Sequence, residues 1–103
     1  MKGTIYKISF LNTELGKVYY GSTTQTLNTR KLEHKSRCYN ERCDAYNKNL
    51  YKYIRENTNW DNVKFDVIEQ FDDITKHDLE KKEMQYIKEN RDNVLNTRIC
   101  NIN

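Results

Sequence analysis

The stretch TIYKISFLNTELGKVYYG, residues 4–21, determines how the chain begins to fold. From Thr4 to Phe10 the side chains alternate with a two-residue period, which is typical of a β-strand. Residues 12–16 supply turn-forming side chains, and residues 17–21 resume as a second strand. We therefore predict a β-hairpin whose first strand carries three bulky side chains on one face, namely Tyr6, Ile8 and Phe10.

Downstream of the hairpin, the spacing of apolar residues predicts three helices and one more strand. The helices cover 27–37, 47–56 and about 76–90, the strand covers 63–68, and a polar loop covers 38–46. Thr26 and Thr75 are the predicted N-caps of the first and third helices. The predicted buried stripe of the second helix is Leu50, Tyr53 and Ile54. The order ββααβα predicts an α+β fold, in which helices flank a small three-stranded antiparallel sheet.

The composition restricts the class of protein. With 103 residues, one domain spanning 1–103 is expected. No apolar run approaches the roughly 18 residues that span a bilayer, so we expect no membrane association. The N-terminus lacks the apolar segment of a secretory signal, and three cysteines are an odd number for a disulfide framework. These features predict an intracellular, cytoplasmic protein. Its many Asn and Lys residues suit an AT-rich coding genome, such as that of a phage or a large DNA virus, or equally that of many bacteria. A viral protein would lie in the cytoplasm of the host cell.

Positive charge is concentrated in the first part of the chain. Residues 1–60 hold 11 Lys and Arg against 5 Asp and Glu, whereas residues 61–103 hold 7 against 10. A basic half favours a polyanionic partner, and nucleic acid is the most common one. The residues predicted to bind it are Lys31, Lys35, Arg37, Arg42, Lys48, Lys52 and Arg55. Their neighbours Tyr39, Tyr46, Tyr51 and Tyr53 would pack on sugars and bases or line the core.

Two predicted helices carry charged or polar residues where apolar ones are expected. Glu83 lies one turn from Leu79 and one turn from Ile87, on the stripe that faces the body of the protein. Burial of an unpaired carboxylate is costly. In the first helix, Arg30 and His34 share a face one turn apart. Either these groups form ordinary buried ion pairs, or they belong to a functional site.

The same residues resemble the GIY-YIG nuclease superfamily. The two signature segments are Thr4-Ile5-Tyr6 and, after twelve residues, Tyr19-Tyr20-Gly21. The resemblance continues through Gly21-Ser22-Thr23, Arg30, His34, Leu79-x3-Glu83-x2-Tyr86-Ile87 and Leu95-Asn96. It thus covers nearly the whole chain. Thr4 replaces the first Gly of the family pattern and Tyr20 replaces the second Ile, and neither change removes a reactive group.

This resemblance implies metal-dependent hydrolysis of a phosphodiester bond in DNA. Glu83 matches the family's single protein ligand for one divalent ion, Mg²⁺ or Mn²⁺. Mg²⁺ suits such a site because it keeps most of its waters and needs few protein ligands. We therefore expect a metal-binding endonuclease.

The resemblance also implies roles for five further residues. Tyr6 would activate the attacking water, and His34 would position that water or Tyr6, or share the role of base. Tyr19 would hydrogen bond to the phosphate or the water. Arg30 would contact the scissile phosphate and stabilise its developing charge. Asn96 would brace the site.

Several alternatives remain open at this point. His34, Cys38, Cys43 and Cys100 also present a possible zinc set, although their spacing is irregular. The domain could be a catalytically idle relative that only binds nucleic acid, or a module directed at RNA. The length favours a stand-alone nuclease of low sequence specificity, which would need a partner protein or a homodimer for site-specific recognition.

Overall fold

The computed structural model describes residues 1–11 and 16–96. The strands are β1 (Gly3–Phe10), β2 (Tyr19–Thr23) and β3 (Val63–Phe71); the helices are α1 (Leu27–Tyr39), α2 (Asn49–Asn57) and α3 (Lys76–Glu89). Short 3-10 helices lie at Asp44–Asn47 and Trp60–Asn62. The predicted α+β class and the order ββααβα are confirmed. The predicted turn at 12–16 lies, apart from Gly16, outside the described residues.

The central strand of the sheet is β1, which pairs antiparallel with β2 on one side and with β3 on the other. In this register Tyr6 lies opposite Gly21 and Ile5 lies opposite Ser22. Because successive side chains of a strand point to opposite faces, these two pairs belong to different sides of the sheet.

Both faces of the sheet are covered. On the face of Tyr6, buried side chains of β1 pack with Cys38 of α1 and with Leu50 and Ile54 of α2. On the face of Ile5, α3 packs against β1 and β2 and buries Leu79 and Ile87. The edge of β2 therefore lies between α1 and α3. That edge positions the candidate site.

The predicted N-caps are present. The side chain of Thr26 accepts a hydrogen bond from the backbone N–H of Thr29, and that of Thr75 accepts one from Asp78. Such caps satisfy backbone donors that have no partner within the helix and contribute about 1 kcal/mol each. They fix the starting points of the helices that carry Arg30 and Glu83.

The region between α1 and α2 differs from the sequence prediction. Helix α1 continues to Tyr39, two residues further than predicted, and α2 begins at Asn49 rather than at 47. The buried aromatic residue of α2 is Tyr51, whereas Tyr53 is half-buried against Phe10. Burial of Tyr51 is tolerated because its hydroxyl has a hydrogen-bond partner in the core.

Candidate active site

Four side chains from three elements form one hydrogen-bonded network. Arg30 Nε donates to the hydroxyl oxygen of Tyr6 at 3.0 Å. The same oxygen lies 2.7 Å from His34 Nε2, and His34 Nδ1 lies 2.8 Å from the hydroxyl of Tyr51. The fold thus brings together Tyr6, Arg30 and His34, which were candidates from the sequence, and adds Tyr51.

His34 is neutral at the centre of this network. Its side chain is 1% exposed, and burial, followed by the positive charges of Arg30 and Arg37, lowers its pKa to about 3. A neutral imidazole donates through one nitrogen and accepts through the other. The two phenols on either side of the ring, Tyr6 and Tyr51, therefore have opposite hydrogen-bonding roles.

The buried imidazole makes stability depend on pH. Between pH 6.5 and pH 3 the unfolded chain binds a proton at His34 that the folded chain does not. This contribution to stability is therefore complete above pH 6.5, and it falls by about 1.4 kcal/mol per pH unit as the pH falls through that window. When the pH is lowered from 7 to 5, the free energy of unfolding measured with urea should fall by about 2 kcal/mol more in the wild type than in His34→Gln. An equal pH dependence in the two proteins would contradict a neutral His34.

Tyr6 is enclosed completely. It is 0% exposed, and burial raises the pKa of its phenol well above the usual range, an effect that the charge of Arg30 partly offsets. Gly21 packs directly against its ring. A Cβ atom built at this position would overlap the phenol carbon Cζ and its hydroxyl oxygen. Any side chain here would clash with Tyr6, so this position of β2 requires glycine.

An open cleft of about 640 Å³ lies beside this network. Of the network residues, Arg30 and Tyr51 line the cleft, and Tyr6 and His34 do not. Among the described residues, the charged side chains that line it are four cations and two carboxylates, namely Arg30, Arg37, Lys48, Lys76, Glu80 and Glu83. The excess of positive charge favours an anionic ligand.

Glu83 reaches the cleft from the opposite face of the sheet. It lies on α3 between the buried Leu79 and Ile87, and its carboxylate oxygen Oε1 accepts a hydrogen bond of 2.5 Å from Ser22 Oγ. Arg30 on α1 and Glu83 on α3 thus line one cavity at the edge of β2.

The donor set around Glu83 fits a hard divalent ion with few protein ligands. Within residues 1–11 and 16–96, no group of three or more His, Cys, Asp and Glu side chains is arranged to hold a metal. A structural zinc site needs about four such ligands. Mg²⁺ commonly binds through one or two carboxylates, together with water and substrate phosphates. The single carboxylate of Glu83 is compatible with Mg²⁺ or Mn²⁺.

The described residues give no support to a zinc site formed by His34 and the cysteines. Both ring nitrogens of His34 are engaged by phenols. Cys38 is buried and its thiol lies 3.8 Å from the carbonyl of Tyr51, while Cys43 is half-buried in the connection to α2. Cys100 lies outside the described residues.

Tyr19 and Asn96 both line the cleft but play different structural parts. Burial and then the negative charge of Glu83 raise the pKa of Tyr19 to about 12, so this phenol carries a proton at neutral pH. Asn96 uses its side-chain amide as a strand would use its backbone: it accepts from the N–H of Tyr20 at 3.1 Å and donates to its carbonyl at 2.7 Å. Asn96 therefore fastens the end of the described chain to β2.

The predicted nucleic-acid-binding residues fall into three groups. Arg37 and Lys48 line the cleft. The exposed cations outside it are Lys31, Lys35, Arg42 and Lys52. Arg55 instead donates to the carbonyls of Cys38 and Tyr46, at 2.6 and 2.8 Å, and its guanidinium stacks on the ring of Tyr46. These contacts use Arg55 to fasten the connection between α1 and α2.

The tyrosines near these cations also serve the fold. Tyr51 is in the core, Tyr53 packs on Phe10, and Tyr46 supports Arg55. Tyr39 is exposed, and its hydroxyl accepts a hydrogen bond from the backbone N–H of Trp60. Of the four, Tyr39 retains the most surface for a nucleic acid to contact.

Sequence reasoning gave no role to two residues of the site, Ser22 and Lys76, and it predicted Tyr51 only as a contact for sugars and bases or as a core residue. Ser22 directly follows the second signature segment, which was a signal for its position at the site. Lys76 is seven residues before Glu83 on α3, and this two-turn spacing places both on one face. The predicted nucleic-acid-binding residues all belong to the basic half of the chain, and Lys76 belongs to the acidic half.

Comparison of this chain with protein-family models, with curated proteins and with solved structures gives no match. None of the described helices is long and apolar enough to cross a membrane.

Proposed function

We propose that this domain is a divalent-metal-dependent endonuclease that hydrolyses phosphodiester bonds in DNA with low intrinsic sequence specificity. The observation that carries the proposal is the meeting of Arg30 and Glu83, from helices on opposite faces of the sheet, in one positively charged cleft. A guanidinium can contact a phosphate and a carboxylate can hold a metal ion, and the two together suit hydrolysis by one metal ion. The resemblance to the GIY-YIG superfamily supports the same assignment.

In this proposal Glu83 holds the ion, and Ser22 orients its carboxylate through the 2.5 Å hydrogen bond. The bound ion would stabilise negative charge on the phosphate and on the departing oxygen. Arg30 contacts the scissile phosphate, and Tyr19 donates its hydroxyl hydrogen to the phosphate or the water. Asn96 braces β2 and with it the position of Tyr19.

Tyr6 and His34 form the route for the proton of the attacking water. Tyr6 accepts from Arg30 Nε, so its own hydroxyl hydrogen is available to His34 Nε2. As Tyr6 takes a proton from the water, it would pass its hydroxyl proton to the imidazole, whose Nδ1–H is held by Tyr51. Because burial and the charge of Arg30 lower the pKa of His34, this transfer would depend on Arg30 moving away from the phenol and on the negative charge of the bound phosphate. Because Tyr6 is enclosed, this step requires Arg30 to turn from the phenol towards the phosphate.

The enclosure of Tyr6 also favours one competing function. A cleft whose proposed proton acceptor has no exposed surface would bind nucleic acid without cutting it. A catalytically idle module, directed at DNA or at RNA, would have this property.

A cleavage assay separates the two functions. We expect Mg²⁺ or Mn²⁺ to support nicking of a supercoiled plasmid by the purified domain. EDTA should abolish the nicking, because the positive charge of the ion would then no longer stabilise the reacting phosphate. Labelled DNA should be cut in preference to RNA of the same sequence. A Glu83→Gln preparation, purified in parallel, controls for contaminating nucleases. Binding without metal-dependent cleavage would instead support the idle module.

A further inference from the structure

A second pocket, of about 230 Å³, adjoins the cleft. We refer to it as the side pocket. The loop from β2 to α1 contributes Thr23, Thr24 and Gln25 to its walls. It shares four lining residues with the cleft, namely Ser22, Arg30, Lys76 and Glu80. The two cavities therefore form one continuous groove.

The side pocket is lined mainly by hydrogen-bond donors. Arg30 and Lys76 supply positive charge, and Glu80 supplies the one carboxylate among the described lining residues. Lys76 is exposed and is the first residue of α3, where it borders both cavities. The Thr23 hydroxyl oxygen accepts from the N–H of Gln25 at 3.0 Å, which leaves its hydrogen for another acceptor. Two cations and several hydroxyls suit a phosphate group, whose oxygens accept strong charge-assisted hydrogen bonds.

We propose that the side pocket binds the phosphate group adjacent to the scissile phosphate, on the strand that is cut. This rests on the proposed function, because it takes Arg30 as the contact of the scissile phosphate. Arg30 and Lys76 line both cavities, so a strand with one phosphate at Arg30 passes the side pocket next to it. The other two described cations of the cleft, Arg37 and Lys48, do not line the side pocket. A phosphate held there by Lys76 would therefore select the direction in which the strand lies.

Three dinucleotides test this proposal without any cleavage. The Glu83→Gln form is titrated with dTpdT, with pdTpdT and with dTpdTp, and binding is followed by the NMR amide signals of Thr24 and Gln25. One of the two terminal phosphates should tighten binding by about fivefold or more and shift these signals. Adding Lys76→Gln should remove that gain, so that both phosphorylated dinucleotides bind within about twofold of dTpdT. Lys81→Gln, an exposed position on α3 that lines neither cavity, should retain the gain.

The possible failures are distinguishable. If dTpdT binds and neither terminal phosphate adds more than about twofold, the side-pocket proposal is overturned while the cleft remains a nucleic-acid site. A gain that survives Lys76→Gln also overturns it, because the phosphate would then bind elsewhere. If none of the three dinucleotides binds, the proposed function fails together with the side pocket.

Discussion

Replacement of Glu83 by Gln is expected to reduce metal-dependent DNA cleavage by at least about a thousandfold, equivalent to about 4 kcal/mol in the activation barrier. The amide keeps the shape of the side chain and an oxygen that can accept the hydrogen bond of Ser22. It loses the negative charge that would hold the ion. Glu80, the other described carboxylate that lines the cleft, lies one turn away on the same helix. We expect it not to replace Glu83, because among the described hydrogen bonds Ser22 orients only the Glu83 carboxylate.

The measurement is single-turnover cleavage of a plasmid or duplex at saturating Mg²⁺, with thermal unfolding and DNA binding recorded on the same preparations. Glu89→Gln is the matched control, since this substitution removes one negative charge at an exposed position on the same helix. The Glu83 variant should unfold like the wild type and bind DNA with similar affinity. Residual activity within about tenfold of wild type would refute the single-ligand site.

The fold could be predicted from local signals because those signals and the tertiary structure agree. The alternation over residues 4–10 became the central strand, and Thr26 and Thr75 cap helices where their hydroxyls predicted. Agreement between local preference and global fold is typical of natural sequences. The start of α2 was misplaced because its N-cap, Lys48, makes no side-chain capping hydrogen bond, so no local signal marked it.

The candidate site was only partly readable from the sequence. Helical spacing places Arg30 beside His34 and Glu83 on the inner side of α3, since those relations lie within one helix. The enclosure of Tyr6 by Gly21, and the contact of Tyr51 with His34, depend on how strands and helices pack against each other. Spacing along the chain carries no information on such contacts. The burial of Tyr51 rather than Tyr53 likewise depends on packing, since the hydroxyl of Tyr51 bonds to His34 on another helix.

Arg30 joins the buried network to the open cleft, so its replacement should affect turnover far more than stability. Arg30 donates through Nε to Tyr6 and through a second nitrogen to Glu33 at 3.1 Å, and these two hydrogen bonds orient the guanidinium beside the cleft. Arg30→Ala removes both the fixed positive charge and the contact with phosphate. We expect turnover to fall by about a hundredfold to a thousandfold, as for the loss of other groups that stabilise transition-state charge.

Arg30→Lys distinguishes charge from geometry. Lysine keeps the positive charge but lacks the fork of separate nitrogens with which Arg30 bonds to Tyr6 and Glu33 together, because all its donors are on one nitrogen. Its turnover should therefore lie between those of the wild type and the alanine variant, about tenfold below the wild type. Lys81→Ala, which removes one exposed positive charge on α3 that lines neither cavity, should leave turnover nearly unchanged.

The decisive measurement determines kcat, KM and the thermal unfolding temperature for the wild type and both Arg30 variants. A role in stabilising transition-state charge lowers kcat with little change in KM, whereas a role in binding alone raises KM. Tyr6, His34 and Tyr51 keep their mutual hydrogen bonds when Arg30 is removed, so the alanine variant should unfold near the wild-type temperature. If it unfolds much earlier, and lysine restores the temperature without restoring turnover, Arg30 acts as a structural partner of Tyr6. The phosphate would then have to be held by Arg37 and Lys48, the remaining cations at that end of the cleft.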